Sequence, residues 1–256
     1  MSEGATALAA VGAAYLAGSI PFGLLMGRLV AGVDIRTRGS GNIGATNVAR
    51  VVGARWGLLV LILDFAKGAL PTWGLPLLVA EPDGLASVHL RVVCGIAAVV
   101  GHMFPCWLRF RGGKGVATGA GVVLVLSPWA TLAAVAVFAA VFGLSRFVSA
   151  ASMLAALAFG ITELVLLWPT PFAADCWSLG LFSLLVPALI ILRHRSNLVR
   201  LLKGQEPRMT FGQNREGPVA AESDDGRSED RPASTAEPLG ERVPNPETQA
   251  RNGQTP

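Results

Sequence analysis

The sequence is short of charge. Only 15% of its 256 residues are Asp, Glu, Lys or Arg, while 52% are hydrophobic. Soluble domains carry about 25% charged residues, so an ordinary cytosolic domain is excluded. Cysteine is scarce as well. Cys94, Cys106 and Cys176 are scattered, with no CxxC pair, which leaves neither a zinc site nor a disulfide framework. The histidines, His89, His102 and His194, are too dispersed for an evident metal set. No Lys or Arg precedes the first apolar run, so that run lacks the basic start of an export signal and reads as a retained helix. The residues imply no cofactor and no metal.

What is present is apolar length. A helix needs roughly 20 mainly apolar residues to cross a bilayer core. Stretches 5–27, 57–80, 88–107, 148–168 and 176–193 qualify. Residues 116–144 are nearly all apolar too, with Ser127-Pro128 in the middle. Proline after a break favours two short helices there over one kinked helix. The expected fold is therefore all-α and polytopic, with seven transmembrane helices over residues 1–204. Residues 205–256 are rich in Pro, Gly and charge, without hydrophobic periodicity. They read as a disordered polar tail to which no chemistry is assigned.

The charges support seven crossings. Residues 1–204 hold 15 Lys/Arg against 7 Asp/Glu, and the tail holds 6 against 10. With seven crossings, 13 basic residues fall on one side, in the segments after spans one, three, five and seven. The opposite loops hold Arg91 with Glu3, Glu81, Asp83 and Asp175, while Lys67 lies within a span. Basic loops mark the cytoplasmic side, which puts the N-terminus outside and the C-terminus inside. The sequence pI near 9.4 thus reports topology, and a nucleic-acid partner is not implied.

Three stretches on that inner side are unusual for membrane loops. The first, Arg36–Arg50, contains Gly39, Gly41 and Gly44, which free the backbone to present N–H groups to an anion. Ser40, Asn42, Thr46 and Asn47 add polar side chains, and Arg50 adds charge. The plain alternative is a flexible basic loop. The second is Gly112-Gly113-Lys114-Gly115, running into an apolar helix. Backbone N–H groups at a helix start beside a lysine form a natural phosphate cradle, although the spacing is not Walker A. The third is Arg193–Gly204. If span seven continues as a helix, Arg193, Asn197 and Arg200 share a face, with His194 adjacent; a basic interfacial helix is the plain alternative. His102 lies at the inner end of span three. Asp64 and Lys67, three apart within span two, can pair. Arg146 and Ser149 read as an interfacial anchor and a helix cap. Together these residues point to a phosphorylated ligand handled at the membrane surface, and the residue chemistry stops there.

Seven blocks, in order, resemble one family. They are Gly18-Ser-Ile-Pro-Phe-Gly23, Gly39-Ser-Gly-Asn-Ile-Gly-Ala-Thr-Asn-Val-Ala-Arg50, Leu63-Asp-Phe-Ala-Lys-Gly68, Gly101-His-Met-Phe-Pro105, Phe110-Arg-Gly-Gly-Lys-Gly-Val-Ala-Thr118, Arg146-Phe-Val-Ser149 and Arg193-His-Arg-Ser-Asn197. The pattern, from about residue 10 to 206, is similar to the bacterial acyl-phosphate:glycerol-3-phosphate acyltransferases, the PlsY family. The resemblance implies transfer of a fatty acyl group from acyl phosphate to the 1-hydroxyl of sn-glycerol 3-phosphate, at the cytoplasmic face of the inner membrane, as the first acylation of phospholipid synthesis. Products would be lysophosphatidic acid and inorganic phosphate. It implies catalytic roles for Ser40, Arg50, His194 and Asn197, with His102 a secondary candidate. Gly39, Gly41, Asn42, Gly44, Thr46, Asn47, Gly112, Gly113, Lys114 and Gly115 would bind substrate phosphate. The HX4D motif of other glycerol-phosphate acyltransferases is absent, in keeping with this family. A transporter of phosphorylated anions is the rival class, but it would place charges at the midplane within repeats, and none are evident. A lipid-binding structural protein would not need such dense anion cradles.

Overall fold

In the computed structural model, residues 3–79 and 85–209 are described, and every described element is helical. All of them belong to one compact unit, Met1–Pro218; the remainder, Val219–Pro256, lies outside the described residues. The expected disordered tail likewise lies outside them from residue 210 onward.

Ten α-helices follow one another: α1 (Glu3–Gly18), α2 (Phe22–Ala31), α3 (Ala45–Val51), α4 (Ala54–Gly74), α5 (Leu85–Met103), α6 (Val116–Leu126), α7 (Pro128–Ser145), α8 (Val148–Leu166), α9 (Trp177–Arg193) and α10 (Arg195–Leu202). The arrangement is inside out relative to a soluble domain. Leu8, Leu29, Leu132, Ile161 and Leu192 are exposed, whereas Asp64, Lys67, Thr72, Thr118, Glu163 and Asn197 are buried. Apolar residues facing out and polar residues facing in suit a lipid surround. The chain is a polytopic, all-α membrane protein.

Five stretches are long and apolar enough to cross a bilayer: Glu3–Ala31, Ala54–Leu78, Ser87–Leu108, Pro128–Ser145 and Val148–Leu166. Helices α9 and α10 supply a sixth, bent by 60°. The run 116–144 does break at Ser127-Pro128. Its first half, α6, has only 11 residues, a rise of about 16 Å. Its second half, α7, has 18, a rise of about 27 Å. Measured from their junction at Ser127, α6 is thus the shorter arm by about 10 Å. Length and composition thus support five or six of the seven expected crossings, and α6 is the short one.

Small residues set the packing. A Cβ on Gly18 of α1 would stand 2.1 Å from the Ala98 carbonyl oxygen of α5, and one on Gly101 of α5 would stand 2.2 Å from the Tyr15 carbonyl oxygen. Gly68 of α4 and Gly121 of α6 meet the partner backbone as closely. Contact this close is how membrane helices gain van der Waals energy where lipid removes the hydrophobic drive. It fixes α6, and the loop entering it, against α4 and α5.

Candidate active site

The loop before α3 is tied by one side chain. Asn47 accepts the Ser40 N–H at 2.8 Å and donates to the carbonyls of Ile35, Arg38 and Asn42 at 3.0, 3.2 and 2.9 Å. Asn42 accepts the Gly44 N–H at 2.8 Å, and the Gly41 N–H donates to the Arg38 carbonyl. The loop amides at Ser40, Gly41 and Gly44 are therefore committed to the protein itself. Those three N–H groups are taken up within the loop. Gly39 and Gly41 have positive φ and let the loop turn back onto Asn47, but Gly44 does not. The result is a rigid platform with Ser40 and Arg50 at its exposed rim.

The second glycine run behaves similarly. The Gly112 and Gly113 N–H groups donate to the Met103 and His102 carbonyls at 3.1 Å each, capping the end of α5. Their own carbonyls accept from the Arg193 guanidinium at 2.8 to 3.2 Å. A Cβ on Gly113 would lie 2.1 Å from Nε2 of His102. These glycines hold position by close packing, and they present no amide cradle. Lys114 then projects into a cavity whose wall includes Gly115 and the first residues of α6, Val116 and Ala117.

The bend at His194 separates what a continuous helix would have joined. The His194 N–H shares the Ile190 and Ile191 carbonyls, and its Nδ1 lies 2.8 Å from the Ile190 oxygen. That contact makes Nδ1 the protonated nitrogen of the neutral ring and leaves Nε2 as acceptor. Arg193 turns back to the glycine run, stacked over Phe104. Past the bend, Asn197 and Arg200 turn to the cavity. The expected shared face of Arg193, Asn197 and Arg200 is not formed.

One network crosses the cavity. Lys114 Nζ donates to Asn197 Oδ1 at 2.5 Å, and Asn197 Nδ2 donates to Glu206 Oε1 at 2.6 Å. Glu206 also accepts from Ser149 Oγ at 2.7 Å and from Arg200 Nε at 2.8 Å. Burial acts to raise the Glu206 carboxyl, but the bonds from Asn197, Ser149 and Arg200 outweigh it and hold the group below the usual carboxylate range. Burial pushes Lys114 down to about 8; Glu206 opposes that shift, while Arg200, Arg193 and Arg50 add to it. Lys114 is thus a partly desolvated cation with other cations close by, a setting that a dianion relieves. The strap 205–209 continues across the site, with the Met209 N–H on the Arg146 carbonyl and Arg208 over Phe147.

The cavity has a volume of about 350 Å3. Eleven of the fifteen expected site residues line it: Ser40, Asn42, Gly44, Thr46, Asn47, Arg50, His102, Lys114, Gly115, His194 and Asn197. Gly39, Gly41, Gly112 and Gly113 do not; they shape the loops behind the wall. Sequence reasoning missed Glu206, and it took Ser149 for a cap although Phe147 stands at that position and Ser149 binds Glu206. A lone carboxylate directly after four basic residues was the one available signal. At the deep end, Lys67 pairs with Asp64 at 2.8 Å and donates to the Ile20 carbonyl. His102 Nδ1 lies 3.8 Å from Asp64. The apolar part of the lining is built by Leu58 and Leu61 of α4 and Phe138 and Phe142 of α7. Among the described residues no group of three or more His, Cys, Asp or Glu could hold a metal ion.

Comparison with known proteins agrees with this picture. A family model described as glycerol-3-phosphate acyltransferase matches residues 8–204. A glycerol-3-phosphate acyltransferase of Anaeromyxobacter sp. (strain Fw109-5) is 47% identical over 212 residues, covering 82% of this chain and 99% of the relative. One from Myxococcus xanthus is 50% identical over 194 residues, covering 76% and 95%. The crystal structure of PlsY, an integral membrane glycerol 3-phosphate acyltransferase, in its glycerol 3-phosphate form, superposes with a TM-score of 0.70 at 41% identity. That match covers 80% of this chain and 96% of the other. The lysophosphatidic acid form of the same enzyme gives 0.68.

Proposed function

Because this chain belongs to the glycerol-3-phosphate acyltransferase family, matched from residue 8 to 204, we propose that it moves a fatty acyl group from acyl phosphate to the 1-hydroxyl of glycerol 3-phosphate. Lysophosphatidic acid and inorganic phosphate are the products. The observation that carries this reading is the mixed lining of the cavity. Ser40, Arg50, Lys114, His194, Asn197 and Arg200 line the same space as Leu58, Leu61, Phe138 and Phe142. A phosphate group suits the first set and an alkyl chain the second.

Acyl phosphate is already activated, so the protein needs mainly to align its substrates and hold charge. Alignment alone can supply about 7–11 kcal/mol. Lys114, Arg50 and the first turn of α6 neutralise phosphate oxygens. Ser40, at the rim, donates a hydrogen bond. Nε2 of His194 accepts the hydrogen bond of the attacking hydroxyl. The hydroxyl oxygen bonds to the acyl carbon, the carbon–oxygen bond to phosphate breaks, and the hydroxyl proton ends on the departing phosphate, which leaves as hydrogen phosphate. Asn197 holds Lys114 in place, and His102 packs beneath Gly113. Membrane lipid is the third partner, as the medium around the helices.

The same reading sets the orientation. Seven crossings, with α6 as the short one, place 13 basic residues on one side. The cavity then opens to the cytoplasm of the inner membrane. Purified protein supplied with palmitoyl phosphate and labelled glycerol 3-phosphate forms labelled lysophosphatidic acid. No product from either acyl phosphate or acyl-CoA would overturn the proposal.

A further inference from the structure

The apolar wall has a definite depth and a charged end. On α4, Leu58 and Leu61 follow Ala54 down one face, and the next lining residue is Asp64. A helix rises about 10 Å from Ala54 to Leu61, and as much from Ser145 to Phe138 on α7. Below that depth stand Asp64, Lys67 and His102, all buried and charged or polar. An alkyl chain gains nothing there. Helix α6 packs on both α4 and α7 and closes one side of the cleft. Helices α4 and α7 do not pack on each other extensively, and Leu58 and Leu61 are 57% and 45% exposed, so the cleft is open on the other side. Phe138 and Phe142 stack at a centroid distance of 5.9 Å and form the rigid side of the cleft.

A chain lying in this cleft must leave it laterally, into lipid, before it meets Asp64. Resting on the acyl-phosphate reading above, we infer that the site reads only the first eight or so carbons of the acyl donor, since an extended chain advances about 1.2 Å per bond and the wall is about 10 Å deep. Phe138 and Phe142 are the specificity-determining residues. They discriminate against branching within that stretch, and length beyond it is not discriminated. Carbons past the exit stay in lipid before and after binding, so they contribute no difference in free energy.

The test uses the purified protein in lipid vesicles, with glycerol 3-phosphate and a series of acyl phosphates. Dodecanoyl, palmitoyl and stearoyl phosphate give kcat/KM values within about threefold of one another, while a methyl branch at the fourth or sixth carbon lowers kcat/KM about tenfold or more. A branch near the methyl end has no effect. Phe138→Ala and the milder Phe142→Leu both relieve the branch penalty and leave the length series flat. A steady change with length, equal turnover of all branched donors, or variants that alter the length series would each overturn the inference while leaving the acyltransfer reading standing. Lack of turnover with any acyl phosphate would overturn that reading, and this inference with it.

Discussion

Lys114 and Asn197, 83 residues apart in the chain, meet at 2.5 Å, the lysine donating to the amide oxygen. The other end of the same amide holds Glu206. Asn197 is thus the link between the Lys114 cation and the Glu206 carboxylate, both of which line the cavity. Changing its polarity should separate the two. Asn197→Asp sets a second carboxylate against Glu206 and lowers kcat/KM by about two orders of magnitude, the scale of losing one preorganised hydrogen bond. Steady-state kinetics on folded protein checks this; a change under threefold would contradict it.

The lowered proton affinity of Lys114, about 8, fixes a pH response. The ammonium is charged below that value and loses its charge as pH rises through it. The KM for glycerol 3-phosphate should therefore climb above pH 8. Lys114→Arg, whose charge persists, should keep KM flat to about pH 10, whatever its absolute rate. A wild-type KM unchanged between pH 7 and 9.5 would remove Lys114 from phosphate binding.

Glu206 accepts three hydrogen bonds and its side chain is 6% exposed. Glu206→Ala leaves Arg200 and Asn197 without their partner, at a cost of about 2–3 kcal/mol. The melting temperature in detergent should fall by several degrees. Its folded-state affinity for protons is depressed, so the stabilisation is complete above the ordinary carboxyl range and is lost as pH falls below it. The wild type should lose thermal stability with acidification in that range more steeply than Glu206→Gln.

Asp64 and Lys67 form a pair that is almost fully buried. Lys67→Met strands the carboxylate and should cost about 3–5 kcal/mol. Asp64→Asn added to Lys67→Met should restore most of it, since no charge is then left unpaired. Thermal unfolding of the two singles and the double measures the coupling; additive losses would show that the pair does not act as a unit.

How much of this was legible differs residue by residue. The break at Ser127-Pro128 could be read because proline marks it. The pairing of Asp64 with Lys67 could be read from spacing alone, since two opposite charges three apart on a membrane helix have few other partners. The bend at His194 could not. It depends on which carbonyls the His194 backbone and ring select, and nothing in Arg193-His194-Arg195 announces that choice. The glycines were legible as necessary, but for a different reason. Gly113 is small because the His102 ring fills the space, a contact between segments that no local pattern shows. Glu206 was hidden by composition. It stands at the edge of a polar, acidic tail, and only the folded chain separates it from the carboxylates that follow.

The position of Glu206 also orders the enzyme's birth. Lys114 is synthesised and inserted long before Asn197, and Glu206 follows only after the last apolar helix has been made. At about 5–20 residues per second, several seconds separate the cation from its distant partners. During that interval Lys114 has neither its amide acceptor nor the opposing carboxylate. The Lys114–Asn197–Glu206 network therefore closes late, once the strap 205–209 has been made.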